Sequence, residues 1–191
     1  NVAVNTLYKK LQETNPTLRL HLDDRTNVTP GFKYNQWELK GVPLRIELGE
    51  RDIEKQTVVI ARRDTGDKQV ISWDELDLSV INLLDTIQND LRTKAKTSHN
   101  NAIVQVRDWN GFMTALQQNQ LPLMPWCGEE ICETNIKKQS GEDSASFGGD
   151  RVGAAKSLCI PFAQPEGDIE KEVCAKCSAK ATKWVLFGLS Y

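Results

Sequence analysis

Residues 37–52 read WELKGVPLRIELGERD. Leu44, Ile46 and Leu48 alternate with polar residues, the period-two pattern of a strand with one buried face. Gly41 and then Pro43 stop a helix, so a switch from helix to strand is predicted between Lys40 and Leu44. The other face and both ends of that strand carry Glu38, Arg45, Glu47, Arg51 and Asp52, charges of both signs crowded around one short element.

Upstream, an aromatic-rich helix is predicted from about Phe32 to Lys40, with Trp37 in the core because its neighbours Phe32 and Leu39 also need burial. Val4, Leu7, Tyr8 and Leu11 recur at helical spacing, and Asn15-Pro16 closes that helix. Leu18, Leu20 and Leu22 alternate with Arg19 and His21, which predicts a strand ending at Asp23-Asp24-Arg25. Downstream, Thr57 to Arg63, the turn Asp64-Thr65-Gly66-Asp67 and Gln69 to Trp73 read as a hairpin. Val80, Leu83, Leu84, Ile87 and Leu91 mark an amphipathic helix from near Asp74, and the polar stretch Lys94 to Asn101 ends this first unit.

Beyond it come a strand over Ala102 to Val106, a helix from Asp108 to Gln118 capped by Asp108, and a strand over Leu121 to Trp126. Ser140 to Gly153, rich in Gly, Ser and Asp, reads as a mobile loop, and Lys156 to Phe162 and Lys183 to Tyr191 as strands. Helices alternating with strands predict the α/β class with a mixed sheet over residues 1–97, followed by a smaller α+β domain over 98–191.

The 191 residues carry 24 Lys and Arg against 26 Asp and Glu, a formal charge of −2. No broad basic field exists to hold nucleic acid by counterion release, so any such binding must be local, and DNA is not an expected partner. There is no apolar run near 18 residues and no secretory signal, so a cytoplasmic protein without membrane contact is expected. The five cysteines all fall in the last third. Cys127 and Cys132 in CGEEIC, with Cys174 and Cys177 in CAKC, are two close pairs of the kind that supply four thiolates to a structural zinc ion. Four unrelated core thiols would be the plainer arrangement. Cys159, in the apolar run KSLCIPF, is expected to be a buried small hydrophobe. The only histidines are His21 and His99, neither beside a cysteine, and no catalytic residue is assigned.

A carboxylate repels phosphate but suits guanine. An unpaired guanine offers N1–H and the N2 amino group as adjacent donors, and a carboxylate presents two acceptors at matching spacing. Two carboxylates of this stretch could thus read two guanines, Arg45 between them in sequence could stack on a splayed base, and Lys40 is free to hold a phosphate. Charge pattern alone favours the plainer reading, surface ion pairs Glu38–Arg45 and Arg51–Asp52 beside an ordinary strand.

TPGFKYNQWELKGVPLRIELGERD followed by VVIARRDTGDK closely resembles the anticodon-binding domain of eukaryotic and archaeal-type class II prolyl-tRNA synthetases. PWCGEEICETNIKK, KSLCIPF, the CAKC pair and the terminal WVLFGLSY resemble the zinc-binding C-terminal domain of the same type. The resemblance implies recognition of the two guanines of the proline anticodon through Glu38, Arg45 and Asp52, and zinc held by Cys127, Cys132, Cys174 and Cys177. CAKC is one residue wider than the pair in some relatives. The resemblance further implies a terminal carboxylate on Tyr191 reaching toward a catalytic domain. The family's opening strand and ATP-binding motifs are not in this sequence, so the chain reads as the C-terminal portion of a proline-tRNA ligase or of a bifunctional glutamyl-prolyl enzyme. ATP and Mg2+ would serve only the parent's catalytic domain, which would also make the homodimer, and a multi-synthetase complex is a further expected partner. A non-catalytic RNA-binding or scaffolding protein using the same domain pair is the alternative. The cysteine-bearing tail argues against a synthetase for threonine, histidine or glycine.

Overall fold

A computed structural model describes residues 2–144 and 153–190. The chain divides into two compact units, Asn1–Lys94 and Ala95–Tyr191. Helices pack with strands in both, the α/β class that the sequence implied.

In the first unit α1 (Val2–Thr14) buries Leu7 and Leu11 one turn apart, and Pro16 follows its end. The side chain of Thr29 caps α2 (Pro30–Leu39) by accepting from the backbone N–H of Phe32, and Pro30 occupies the first helical position, where its missing N–H costs nothing. Gly41, at φ +83°, takes the left-handed turn just past the helix end. Next come β1 (Leu44–Glu47), α3 (Glu50–Glu54), and the hairpin of β2 (Thr57–Arg62) and β3 (Lys68–Ser72), all antiparallel in the order β1-β2-β3. One face of this sheet sends Leu44, Val58, Ile60 and Ile71 into a core with Leu7, Leu11, Leu76 and Val80. The opposite face carries Arg45, Ala61 and Lys68 in one cross-strand row, with Glu47, Val59 and Val70 in the next.

Four local expectations fail here, each for a physical reason. Leu18 and Leu20 do pack on the core, but residues 18–22 form no strand, because no neighbouring strand offers them a ladder among the described residues. Ile46 shares the inner face yet stays 36% exposed, because β1 is the sheet's edge. Trp37 is only partly buried, and α2 buries no residue: Phe32 and Leu39 are 55% and 83% exposed. The polar stretch from Lys94 continues as helix, since α4 runs from Leu76 to Ala102 with no glycine or proline to break it.

The second unit has a four-stranded sheet in the order β4-β5-β7-β6, formed by β4 (Ile103–Gln105), β5 (Leu121–Trp126), β6 (Ala154–Cys159) and β7 (Lys183–Ser190). β4 and β5 run parallel and the other pairs antiparallel. Asp108 caps α5 (Trp109–Gln117) by accepting from Gly111 N–H at 2.8 Å. Phe112, Met113 and Leu116 of α5 meet Met124, Val185 and Phe187 of the sheet in the core, where Phe112 and Phe187 cross edge to face at 5.5 Å. α6 (Glu130–Asp143) extends into the stretch expected to be a loop and closes the core with Ile136; residues 145–152 of that stretch, and Tyr191, lie outside the described residues. Cys159 is exposed rather than buried, because it ends the edge strand β6 at a register shift. Among the described residues no helix is long and apolar enough to cross a membrane.

Candidate functional site

The charges of the opening stretch form one cluster on the outer face of the first sheet. Helix α2 carries Tyr34 and Glu38 one turn apart, and the pleat of β1 turns Arg45 and Glu47 to the same side. Arg45 donates from Nη1 to Glu38 Oε1 and from Nε to Glu47 Oε1 at 2.9 Å, while its guanidinium lies 4.1 Å over the Tyr34 ring. Lys68 binds the same Glu47 at 3.0 Å. Ala61 sits between Arg45 and Lys68 in the cross-strand row, where a small side chain leaves room for both long ones. Burial works against the Arg45 charge, but its hydrogen bonds to the carboxylates of Glu38 and Glu47 outweigh it and raise its pKa. The four charges cancel in number. The Arg45 side chain is 19% exposed and that of Glu38 50%, so a fixed cation holds out a carboxylate to solvent.

Trp37 and Glu38 line a small cleft with Val42, Ala61 and Arg63, and Arg63 Nε donates to the Glu38 carbonyl at 2.9 Å. Lys40 stands 4.4 Å over the Trp37 indole. That indole donates from Nε1 to Asp23 Oδ2 at 2.8 Å, and Arg25 clamps the same carboxylate with two hydrogen bonds of 2.8 and 2.6 Å. Arg25 first, and then Trp37, hold the Asp23 carboxyl far below the usual carboxylate range against the opposing effect of desolvation. α2 is therefore fastened by polar bonds rather than by a buried stripe.

Of the residues singled out in the sequence, Glu38 and Arg45 are joined directly, and Lys40 lies over the neighbouring Trp37. Asp52 is used differently. It reaches back from the first turn of α3 to accept Gly49 N–H at 2.9 Å, a capping bond, and among the described residues it forms no ion pair with Arg51. Tyr34, Glu47 and Lys68 were not singled out as site residues. Tyr34 precedes Glu38 by one helical turn, a signal available in the sequence, but Lys68 enters only through strand register.

In the second unit the sulfurs of Cys127, Cys132, Cys174 and Cys177 all lie within 4.8 Å of one another. β5 delivers Cys127 at its end, α6 carries Cys132, and a tight turn presents the other pair: Cys174 N–H donates to Ala179 O at 2.8 Å and Ser178 N–H to Cys174 O at 2.9 Å. Ala175 N–H to Pro125 O and Thr182 N–H to Trp126 O tie that turn to β5. Thiolates 2.3 Å from one tetrahedral ion stand about 3.8 Å apart, and Cys132 and Cys174 are 3.6 Å apart. The first three cysteines are buried and Cys177 is exposed. Burial pushes the Cys127 and Cys132 thiols up, while for Cys174 backbone hydrogen bonds from Cys177 and Lys176 outweigh burial and bring it to about 7. A set of four thiolates this close needs a cation to hold it ionised, so the donor set fits a metal ion.

Comparison with known proteins divides the chain in a matching way. The family described as "Anticodon binding domain" matches residues 2–83, and "Prolyl-tRNA synthetase, C-terminal" matches residues 109–191. The chain is 38% identical to a proline–tRNA ligase of Encephalitozoon cuniculi over 95% of its own length and 36% of the relative's. It is 40% identical to the cytoplasmic proline–tRNA ligase of Arabidopsis thaliana, over 91% of its length and 31% of the relative's. To the bifunctional glutamate/proline–tRNA ligase of Drosophila melanogaster it is 39% identical, over 91% of its length and 10% of the relative's. The chain thus spans about a third or less of these relatives. It pairs an anticodon binding domain, residues 2–83, with a prolyl-tRNA synthetase C-terminal domain, residues 109–191.

Proposed function

We propose that the chain reads the anticodon of tRNA(Pro) as the C-terminal part of a proline–tRNA ligase, the enzyme that attaches proline to tRNA(Pro) with ATP. The observation that carries this reading is the half-exposed Glu38 carboxylate held by Arg45 on the outer face of the anticodon binding domain. Each carboxylate oxygen has two lone pairs, so Oε1 can keep Arg45 while both oxygens accept from guanine N1–H and N2–H. Fixing the acceptor before RNA arrives lowers the ordering cost of binding. Arg45 and Tyr34 offer a stacked planar surface for a splayed base, Lys40 a phosphate contact, and Asp52 the second guanine reader once its capping bond is shared.

Residues 1–97 would act as the reader and 98–191 as the metal domain, with Zn2+ held by Cys127, Cys132, Cys174 and Cys177. Four sulfurs leave no open position, so the ion serves folding by balancing four thiolates. ATP and Mg2+ belong to the parent's catalytic domain, as does the homodimer. The bifunctional relative supports a larger synthetase assembly, and the relative named cytoplasmic supports that location. The test is binding of the metal-loaded chain, at fixed salt, to a tRNA(Pro) transcript and to one with both anticodon guanines replaced. A clear preference for the guanines is expected. Equal binding removes the reader and favours a sequence-blind RNA-binding or scaffolding role.

A further inference from the structure

From Gln88 to Asn101 every residue of α4 is exposed. Within and just beyond this stretch, from Leu91 through Arg107, there is no aspartate or glutamate, whereas Arg92, Lys94, Lys96, His99 and Arg107 all occur, in a chain whose formal charge is −2. The acids that flank the run in sequence are spent elsewhere: Asp90 is bound by Arg62 at 2.7 Å, and Asp108 accepts from Gly111 N–H at 2.8 Å, while Arg107, at the far end of the run, is paired with Glu172 at 2.9 Å. No ion pair reaches Arg92, Lys94 or Lys96 among the described residues.

Helix stability does not explain this arrangement. The macrodipole favours cations in the last turn, which here contains His99 alone. Arg92 and Lys96 stand one turn apart, about 6 Å along the axis, and like charges at that spacing repel. An exposed polar helix is ordinarily laced with pairs of opposite sign, and this one has none after Asp90. The arrangement is complementary to a polyanion that approaches from outside.

We infer that α4 between Arg92 and Lys96 holds the phosphate backbone of the RNA, a contact that rests on the tRNA-reading function proposed above. The occupant is RNA rather than an anionic bilayer because Leu91 is the only large apolar residue from Gln88 to Asn101, and a helix lying on a membrane needs a continuous apolar face. Phosphate contacts add affinity without sequence preference, so this helix supplies grip while the outer face of the sheet supplies choice.

The test uses the full metal-loaded chain and its variant Arg92→Gln/Lys94→Gln/Lys96→Gln, glutamine being as good a helix former as the residues it replaces. Binding is measured to the tRNA(Pro) transcript and to its guanine-replaced counterpart across a salt series. Each lost phosphate contact lowers the slope of log K against log salt by about 0.7 to 0.9, so the three together lower it by about 2. Both RNAs should weaken by the same factor, with the guanine preference unchanged. Lys96→Gln alone should lower the slope by less than 1 and serves if the triple variant loses helix by circular dichroism. An unchanged slope overturns the proposal, as does a loss confined to the guanine-bearing RNA. Binding of the wild-type chain to phosphatidylserine vesicles, together with an unchanged RNA slope, assigns the helix to a membrane and overturns it too. If the wild-type chain shows no guanine preference while the triple variant still lowers the slope, the anticodon reading fails and the phosphate contact stands.

Discussion

Replacing Glu38 by glutamine separates recognition from folding. The Glu38–Arg45 pair joins a half-exposed carboxylate to a guanidinium that Glu47 also holds, so its loss leaves Arg45 partnered. A pair with one partner in solvent contributes about 0–1 kcal/mol, and the urea midpoint of Glu38→Gln should shift by no more than that implies. Recognition responds more strongly. The amide keeps one acceptor and sets its NH2 against one of the two adjacent guanine donors, N1–H or N2–H, so one hydrogen bond is lost and two donors are opposed. A bidentate base contact is worth about 1–3 kcal/mol, and every 1.4 kcal/mol is tenfold, so affinity for the guanine-bearing transcript should fall about 5- to 150-fold. Affinity for the guanine-replaced transcript should barely change. Fluorescence anisotropy of the two labelled RNAs at one salt concentration reads both numbers. An equal loss on both RNAs would refute the reader assignment, because it would mean that Glu38 acts through the shape or charge of the surface.

The other perturbations act on the metal set and on the loop that fastens α2. Cys174→Ser, at a buried position of the sulfur cluster, should reduce bound zinc well below one per chain by atomic absorption and broaden thermal unfolding of the second unit, whereas Cys159→Ser, exposed at the strand edge, should leave one zinc per chain. Asp23 has a folded-state pKa below its unfolded value, so its contribution to stability is complete above the ordinary carboxylate value of about 3.9 and is lost as pH falls toward the lowered one. Urea midpoints measured downward from pH 5 should therefore fall less steeply in Asp23→Asn than in the wild-type chain, and parallel curves would mean that the Arg25 clamp contributes nothing.

What could be read from the residues depended on whether the deciding interaction was local. The helices α1 and α2 and the β2–β3 hairpin were legible because the spacing of Leu7 and Leu11, the stops at Asn15-Pro16 and Gly41, and the Asp64–Asp67 turn act within a few positions, although α2 begins at Pro30, two residues before the expected start. The alternation at Leu18, Leu20 and Leu22 reported burial correctly and pairing wrongly, since burial needs a neighbouring core and a strand needs a ladder. Polarity alone suggested an end for α4 near Lys94, yet lysine, arginine and alanine propagate a helix well in water. Cys159 was misplaced because an apolar run on an edge strand has no second layer over it.

The two candidate sites differ in the same respect, and the difference bears on their roles. The cysteine pairs announce themselves by spacing, but Cys132 and Cys174 lie 42 positions apart and meet only because β5 pairs with β7 and the intervening turn bonds back to Pro125 and Trp126. A metal on those sulfurs therefore joins the two ends of the second unit's core and would act chiefly on its stability, with Phe112, Val185 and Phe187 beside it in one cluster. The proposed reader instead is built from a helix face and two strands whose charges already neutralise one another, Glu38 and Glu47 against Arg45 and Lys68. A neutral, pre-paired cluster gains nothing from a polyanion as such. What it can do is distinguish a base edge with two donors from one without, and so the charge that draws the RNA in must come from another surface. A face that chooses without attracting and a helix that attracts without choosing are complementary, which is why the salt slope and the guanine preference should respond to different residues.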